Sequence, residues 1–158
     1  MADLLVKVRF ELDSSAWHGH GSETLWAAPI ATAPRCFRLA NSPFFVTGIS
    51  QMDVVEAADG EDRRIVEFNR VVERGGHSTY MLLVEAEDAS YRLHWNVLEQ
   101  KGCTYESTHI DLSIGMRLLL SVDVPPSADL HEVYRTLERG EAEGIWEFQE
   151  GYAYLAKQ

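Results

Sequence analysis

The order of the elements predicted for the second half of the chain constrains its fold more than any other feature. Residues 78–85 are apolar on both faces, as in a central strand. A helix reaching Lys101, strands at 103–112 and 117–124, a helix from Asp129 and a last strand within 145–155 follow. Strand, helix, strand, strand, helix, strand is the order of a ferredoxin-like domain. We therefore expect residues 77–158 to form a ferredoxin-like α+β half.

Both helices of this half have clear sequence signals. Tyr91, Trp95 and Leu98 recur at helical spacing in the first helix, and Asp129 with Glu132 forms a pattern like a capping box in the second. The helices of such a fold cover one face of its sheet. The other apolar face of strand 78–85 is therefore expected to pack on the first half of the chain or on a second subunit.

The first half of the chain is predicted to be all β. Residues 7–12 alternate apolar and charged side chains, as a half-buried strand does. Four more short strands are predicted at 23–30, 35–39, 52–57 and 63–73. We expect a small antiparallel barrel or strongly curled sheet, which limits exposed edges. The two glycines after Arg74 mark a boundary between a barrel-like subdomain, 1–76, and the ferredoxin-like subdomain, 77–158.

The charge of the chain narrows the class of its partners. Its formal charge is −11, and residues 77–158 carry 6 Lys and Arg against 14 Asp and Glu. Such a field repels phosphate backbones and anionic lipid surfaces, so we expect neither nucleic acid nor membrane as the main partner. A basic protein is the electrostatic complement.

We expect a cytoplasmic protein, because residues 1–8 lack the basic and apolar segments of a signal peptide and no stretch is long enough to span a membrane. Cys36 and Cys103 are then free thiols. No motif in the sequence implies a cofactor.

The segment His18-Gly19-His20 is a possible metal site, since two imidazoles in one loop can reach the same ion. The alternative is a solvated loop with two exposed histidines. No spacing typical of zinc proteins supports the metal, because further ligands would have to come from distant residues. The neighbouring Trp17 is expected to be exposed and to mark a contact surface.

A second candidate site is the turn at 75–79, in which His77, Ser78 and Thr79 follow two glycines. Its amides and hydroxyls suit an anion, although it lacks the lysine and the strand-to-helix context of a phosphate-binding loop. Glu23, Asp53 and His109 are the side chains expected to complete a ligand site between the two halves. The alternative is a turn that joins the halves and needs only the glycines.

A nucleophile is a further possibility, with Ser78 or Cys103 as the attacking group. His77 or His109 would be the base, and Asp111 or Glu106 the carboxylate that orients it. The simpler interpretation of Cys103 is a small buried hydrophobic residue.

The last third of the chain carries an acidic run that includes Glu138, Glu141 and Glu143. Such a run is usually a solvated face. The sharper hypothesis is that it docks a basic partner protein.

Six short blocks of sequence resemble a bacterial family known only as a domain of unknown function. The blocks are ETLWAAP at 23–29, NSPFF at 41–45, MDVV at 52–55, GGHST at 75–79, GCTYE at 102–106 and GIWEF at 144–148. The resemblance extends from about Val6 to Tyr154 and implies no catalytic or binding residue. In this family we expect Gly-Asp where the chain has Met52-Asp53, which argues against a special backbone turn at this point.

Two functional hypotheses follow. The leading one is a non-enzymatic binder that presents an acidic surface to a protein partner, as an immunity or regulatory protein does. The alternative is a small-molecule or metal-binding enzyme with its site between the two halves. A homodimer closed by the apolar sheet face is compatible with either hypothesis.

Overall fold

The structure, a computed structural model, describes residues 4–85 and 87–155. It confirms a mixed α+β protein. In the described residues a five-stranded closed barrel is followed by a four-stranded sheet with two helices. No helix in these ranges is both long and apolar enough to cross a membrane.

The barrel closes around a compact apolar core. Its strands are β1 (Val6–Glu11), β2 (Ser22–Pro29), β3 (Cys36–Leu39), β4 (Val54–Asp59) and β5 (Ile65–Glu73). Val8 and Phe10 point inwards from β1, as the alternation of residues 7–12 predicts. The sequence predicted a small antiparallel barrel, but β1 closes the barrel by pairing in parallel with β5.

The second sheet follows the barrel after the glycines at 75 and 76. Its elements are β6 (Ser78–Glu85), α1 (Tyr91–Gln100), β7 (Thr104–Leu112), β8 (Gly115–Val124), α2 (Leu130–Ala142) and β9 (Glu147–Tyr152). The strand order is β7-β8-β6-β9 and every pairing is antiparallel. Strand β6 is therefore central, as its apolar residues on both faces predict.

The helices bury one face of this sheet. Tyr80 and Leu82 from β6 form a single apolar core with Trp95 from α1 and Leu137 from α2. Asp129 caps α2 by accepting hydrogen bonds from the backbone N–H groups of residues 131 and 132, in agreement with the sequence signal. The opposite face of the sheet meets the barrel half, where Phe44 and Phe45 pack on its apolar side chains.

Two expectations about local structure are wrong. The apolar neighbours of Trp26 in the sequence predict a core residue, but its side chain is 47% exposed on the barrel surface, beneath the ammonium group of Lys7. Met52 has a φ of 74°, so the left-handed turn that glycine would favour is present despite the methionine. The segment at Gly75 packs closely against this turn, since a Cβ added to Gly75 would lie 2.4 Å from the carbonyl oxygen of Met52.

Candidate ligand cleft between the barrel and the second sheet

One end of the barrel-facing side of the sheet is closed by hydrogen-bonded polar groups, which we call the polar junction. It consists of the buried residues Ser50, Asp53 and Thr79 together with Arg74 and Gly75, which are more exposed. The Asp53 side chain is 1% exposed. Its carboxylate accepts hydrogen bonds from the N–H groups of Ser50 and Gly75, each at 2.9 Å, and from Arg74 Nη1 at 3.1 Å. The carboxylate thus joins the loop before β4 to the connection between barrel and sheet.

The hydroxyl groups of the predicted ligand turn are also engaged in internal contacts. Thr79 Oγ1 lies 2.7 Å from Ser50 Oγ in a fully buried contact, and Ser78 Oγ accepts a hydrogen bond from the N–H of Tyr154 at 2.8 Å. Both contacts are long-range, so these hydroxyls fasten β6 to other parts of the chain. The structure brings Thr79 close to Asp53 through Ser50, but it does not leave their polar atoms directed at a common cavity.

His77 pairs with a buried carboxylate on the adjacent strand. Its Nδ1 lies 2.9 Å from both carboxylate oxygens of Asp123, which is 6% exposed. Burial raises the pKa of Asp123, and the hydrogen bond and charge of His77 oppose that rise. The pair has the geometry of a base and its orienting acid.

Neither Ser78 nor Cys103, the two nucleophiles proposed from the sequence, is available to this pair. Ser78 Oγ is engaged with Tyr154, and burial, with a smaller effect of the Asp123 charge, raises the pKa of the Cys103 thiol to about 12. A thiol of such high pKa is a poor nucleophile and behaves as a small core residue. His109 is exposed on β7, one residue from Ile110, which joins the apolar cluster on the barrel side; by strand alternation His109 therefore faces the other way.

Glu23, another predicted ligand residue, holds a loop of the barrel half in place. Its carboxylate accepts hydrogen bonds from the N–H groups of Phe44, Phe45 and Val46 at 2.6, 3.0 and 2.9 Å. These three amides have no strand partner, so the carboxylate satisfies them and directs the two phenylalanine rings towards the sheet.

A cleft of about 630 Å³ opens at the other end of the same sheet face. We call it the Trp17 cleft; residues 17–19, Met81, Leu83, 111–114, Leu119 and 147–149 line it. The central strands β6 and β8 supply its apolar floor, Met81, Leu83 and Leu119. Its volume and its mixture of an apolar floor with a few polar groups are typical of small-molecule sites.

The loop between β1 and β2 forms one wall of the Trp17 cleft. Trp17 is 41% exposed, as predicted, and its ring lies 6.0 Å from that of Phe45. The ring of His20 stacks on Phe45 at 4.4 Å, and His18 packs on the same ring at 4.8 Å. The loop therefore packs its rings on Phe45, while Trp17 and His20 remain exposed.

The two histidines are tied to each other by local hydrogen bonds. His18 Nδ1 accepts from the N–H of His20 at 2.9 Å, and His20 Nδ1 donates to the carbonyl of His18 at 2.8 Å. Since Nδ1 of His18 accepts, its proton resides on Nε2, and the ring is neutral. Burial and the neighbouring His20 lower the pKa of His18, against the opposing effects of Glu23 and Asp13. Within the described residues no group of three or more His, Cys, Asp or Glu side chains is placed to hold a metal ion.

The acidic run is partly used inside the molecule. Glu141 accepts a hydrogen bond from the N–H of Phe148 at 3.0 Å, and Glu143 lies 2.5 Å from His94 Nε2. Glu138 and Glu150 are exposed. Two of the three glutamates proposed for partner docking therefore also stabilise the packing of α2.

Sequence reasoning missed the floor of the Trp17 cleft. Met81, Leu83 and Leu119 are apolar strand residues, and a search for catalytic, charged or metal-binding side chains does not find them. One signal was present, because the second apolar face of β6 requires a cover and its cover is incomplete.

Comparisons with known proteins agree with this architecture. A family model described as Domain of unknown function (DUF4265) matches residues 23–148. This range includes all six sequence blocks noted above, so the match confirms the resemblance to a domain of unknown function. The crystal structure of a hypothetical protein from Neisseria gonorrhoeae superposes with a TM-score of 0.71, at 16% sequence identity, over 99% of this chain and 99% of that chain. At this identity the likeness concerns the fold alone. None of the curated proteins matches the chain.

Proposed function

We propose that this chain, which belongs to the family Domain of unknown function (DUF4265), binds a small and largely apolar molecule in the Trp17 cleft. The observation that carries the proposal is the cleft of about 630 Å³ on the barrel-facing side of the sheet, in which the apolar side chains of Leu83 and Ile114 keep accessible surface. A ligand seated there buries Leu83, Ile114 and the Trp17 ring, each of which is accessible in the structure.

The proposed role is binding without catalysis. The His77–Asp123 pair and the Cys103 thiol, which are the groups best suited to acid–base or nucleophilic chemistry, are not among the residues that line the cleft. The cleft keeps the site between the two halves, as in the sequence-based alternative, but its residues differ from those predicted.

A neutral fluorescent dye, Nile red, tests the proposal. We expect its fluorescence to rise on addition of the protein, because the dye is dark in water and bright in apolar surroundings. Trp17→Ala should weaken the binding at least fivefold, since it removes one wall. Trp26→Ala is the matched control, because Trp26 is similarly exposed but lies on the barrel surface outside the cleft. Equal loss in both variants, or binding unaffected by Trp17→Ala, contradicts the proposal.

Docking of a basic protein partner is a second candidate function, supported by the exposed carboxylates of Glu138 and Glu150 and the net charge of −11. The clean test is Glu138→Gln with Glu150→Gln, because Glu141 and Glu143 have internal contacts whose loss would disturb α2. Binding of a co-purified basic protein should weaken in this variant and weaken further with salt. Unchanged affinity would remove this candidate, including the immunity or regulatory role.

The finer features of the fold and location are likewise proposals. The order β7-β8-β6-β9, with β6 and β8 central and both helices contributing to one core, supports a ferredoxin-like topology for residues 77–158. The end of β5 at Glu73 and the start of β6 at Ser78 support the division into subdomains 1–76 and 77–158. We also retain the cytoplasm as location.

A further inference from the structure

The two edge strands of the second sheet, β9 and β7, differ in how far their backbone is covered. On β9 the N–H of Phe148 donates to the Glu141 carboxylate at 3.0 Å, and the carbonyl of Gly151 accepts from the N–H of Gly48 at 2.9 Å. Strand β9 is also short, with six residues, and its register with β6 is broken once. Short length, a bulge and covering contacts protect a sheet edge from further pairing. The β9 edge is therefore protected.

Strand β7, at the opposite edge, has a long and regular backbone. It pairs with β8 over nine residues, from Thr104 to Leu112, without a register shift. It contains neither Pro nor Lys, the residues that most often interrupt an edge. Within residues 4–85 and 87–155, its backbone makes no hydrogen bond outside the ladder with β8. Such an edge is a template for another strand.

The strand registers identify the backbone groups that point outwards from β7. The N–H of Phe148 points away from β6, so its partner Leu82 directs its own N–H and C=O groups towards β8. Leu82 pairs with Leu120, whose groups point back to β6 and therefore away from β7. Leu120 pairs with Ser107, whose groups consequently point away from β8. The residues with outward backbone groups, which we call the open row, are Tyr105, Ser107, His109 and Asp111.

The middle of β7 is accessible from both faces of the sheet. Ser107 and His109 are exposed on the helix side, and Glu106 is exposed on the barrel side. Helix α1 packs on the start of the strand, where the ring of Tyr105 lies 4.6 Å from that of Trp95. An added strand can therefore reach the open row.

We propose that β7 pairs with the β7 strand of a second copy of this chain, antiparallel and about a two-fold axis at Thr108. A second copy presents the same edge, and the two-fold axis closes the assembly at a dimer. In this register Ser107 pairs with the partner subunit's His109, and Tyr105 pairs with the partner subunit's Asp111. Every outward N–H and C=O group of the open row then has a partner.

The side chains favour this register over its neighbours. Glu106 lies opposite the partner subunit's Ile110, and Thr108 meets its own counterpart, so no like charges are directly opposed. An axis at Glu106 would oppose two glutamates. An axis at Ser107 or His109 would leave one residue of the open row without a partner in β7.

This dimer differs from the homodimer considered from the sequence, which would use the apolar face of the sheet. That face meets the barrel half, where Phe44 and Phe45 pack on it. The proposed contact uses the backbone of the sheet edge instead, and two sheets become one continuous sheet.

Sedimentation equilibrium of the full chain tests the dimer. We expect the mass to rise with concentration from 17.9 kDa towards twice that value. Added salt should strengthen the association, because each copy carries a net charge of −11 and salt screens the repulsion. A mass that stays at 17.9 kDa up to millimolar concentration, at low and high salt, would overturn the proposal.

Ser107→Pro tests whether β7 is the contact. Proline removes an outward N–H but none of the hydrogen bonds to β8, which an edge strand tolerates. The dimer should weaken roughly tenfold or more, since the two-fold axis doubles the loss. Ser107→Ala is the matched control, because it keeps the N–H, and it should form the dimer as the wild type does. A folded Ser107→Pro variant that still forms the dimer would contradict the edge contact.

A cysteine at the axis tests the register without proline. In a Cys36→Ser background, which leaves only the buried Cys103, Thr108→Cys should form a disulfide between copies under mild oxidation, because opposed Cβ atoms lie about 5 Å apart. Glu106→Cys is the control, since its counterpart would lie about 13 Å away along the strands. Crosslinking of Glu106→Cys but not of Thr108→Cys would overturn the proposed axis.

Discussion

At one end of the sheet face that meets the barrel, polar groups close the junction, whereas at the other end apolar side chains stay uncovered. In the polar junction the Asp53 carboxylate, the Gly75 N–H group and the Thr79 hydroxyl have partners within the chain. In the Trp17 cleft, Leu83 and Ile114 retain accessible surface, and Glu147 is exposed.

This difference separates residues that hold the molecule together from residues that are available to a ligand. Buried polar groups are costly when unpaired, so the polar junction depends on every member. The cleft depends on shape, because its floor belongs to the well-packed strands β6 and β8. Substitutions in the polar junction should therefore change the free energy of unfolding, and substitutions in the Trp17 cleft should change ligand binding alone.

The largest effect is expected from Asp53→Ala. It leaves the N–H groups of Ser50 and Gly75 and the guanidinium of Arg74 without their acceptor, and the free energy of unfolding should fall by about 3–5 kcal/mol. The measurement is urea denaturation followed by tryptophan fluorescence. Asp111→Ala at the open end is the control and should stay within about 0.5 kcal/mol of wild type. A loss below about 1 kcal/mol for Asp53→Ala would erase the distinction between the two ends.

A single added methyl group should also disrupt the polar junction. In Gly75→Ala the new Cβ would lie 2.4 Å from the carbonyl oxygen of Met52, and backbone must move to relieve the contact. We expect a loss of about 2–3 kcal/mol in the free energy of unfolding. Gly21→Ala is the control, since nothing lies within 4 Å of the Cβ position at Gly21. Equal unfolding midpoints for the two variants would show that the junction is not tightly packed.

The two ends also differ in how far the sequence could predict them. The period of residues 7–12 and the apolar faces of β6 depend on neighbouring residues, so the strands, the α+β class and the central position of β6 were predicted correctly. The partners in the polar junction are 22 residues apart for Asp53 and Gly75 and 29 apart for Ser50 and Thr79, and no local pattern pairs them. Asp53, Ser78 and Thr79 were chosen for their chemistry, and the fold uses that chemistry internally.

The cleft was missed for the opposite reason. Its floor consists of residues whose type indicates only a core, and it becomes a site because the barrel covers the sheet incompletely. How far a barrel loop such as 42–46 reaches across a sheet is a property of tertiary packing. Only Trp17 was predicted correctly as an exposed aromatic residue, and its role as a wall depends on Phe45, which lies 28 positions further along the chain.

Met52 allows a smaller and stabilising test of the polar junction. Its φ of 74° costs a residue with a side chain about 1–2 kcal/mol, and the greater flexibility that glycine gives the unfolded chain offsets about 0.5–1 kcal/mol of this. Met52→Gly should therefore raise the free energy of unfolding by about 0.5–1 kcal/mol. Gln51→Gly is the matched control and should lower it by about 0.5–1 kcal/mol through the greater flexibility of the unfolded chain. A destabilised Met52→Gly variant would mean that the methionine side chain contributes more by packing than its backbone strain costs.

The pH dependence of Asp123→Asn should give the smallest effect and distinguish the two buried aspartates at the closed end of the sheet. Burial raises the pKa of Asp123 in the folded state, so its ionisation opposes folding at neutral pH, and this cost disappears as pH falls through the folded-state pKa towards the unfolded-state value. Asparagine carries no charge at any pH and retains an oxygen that can accept from His77. The stability of Asp123→Asn relative to wild type should therefore be more favourable at pH 7 than at pH 3.5, as measured by urea denaturation at both values.

Asp111→Asn, at an exposed position, controls for the general effect of removing a carboxylate. The opposite trend would mean that the ion pair with His77 outweighs the cost of burial, and that Asp123 stabilises its end of the sheet in its charged form.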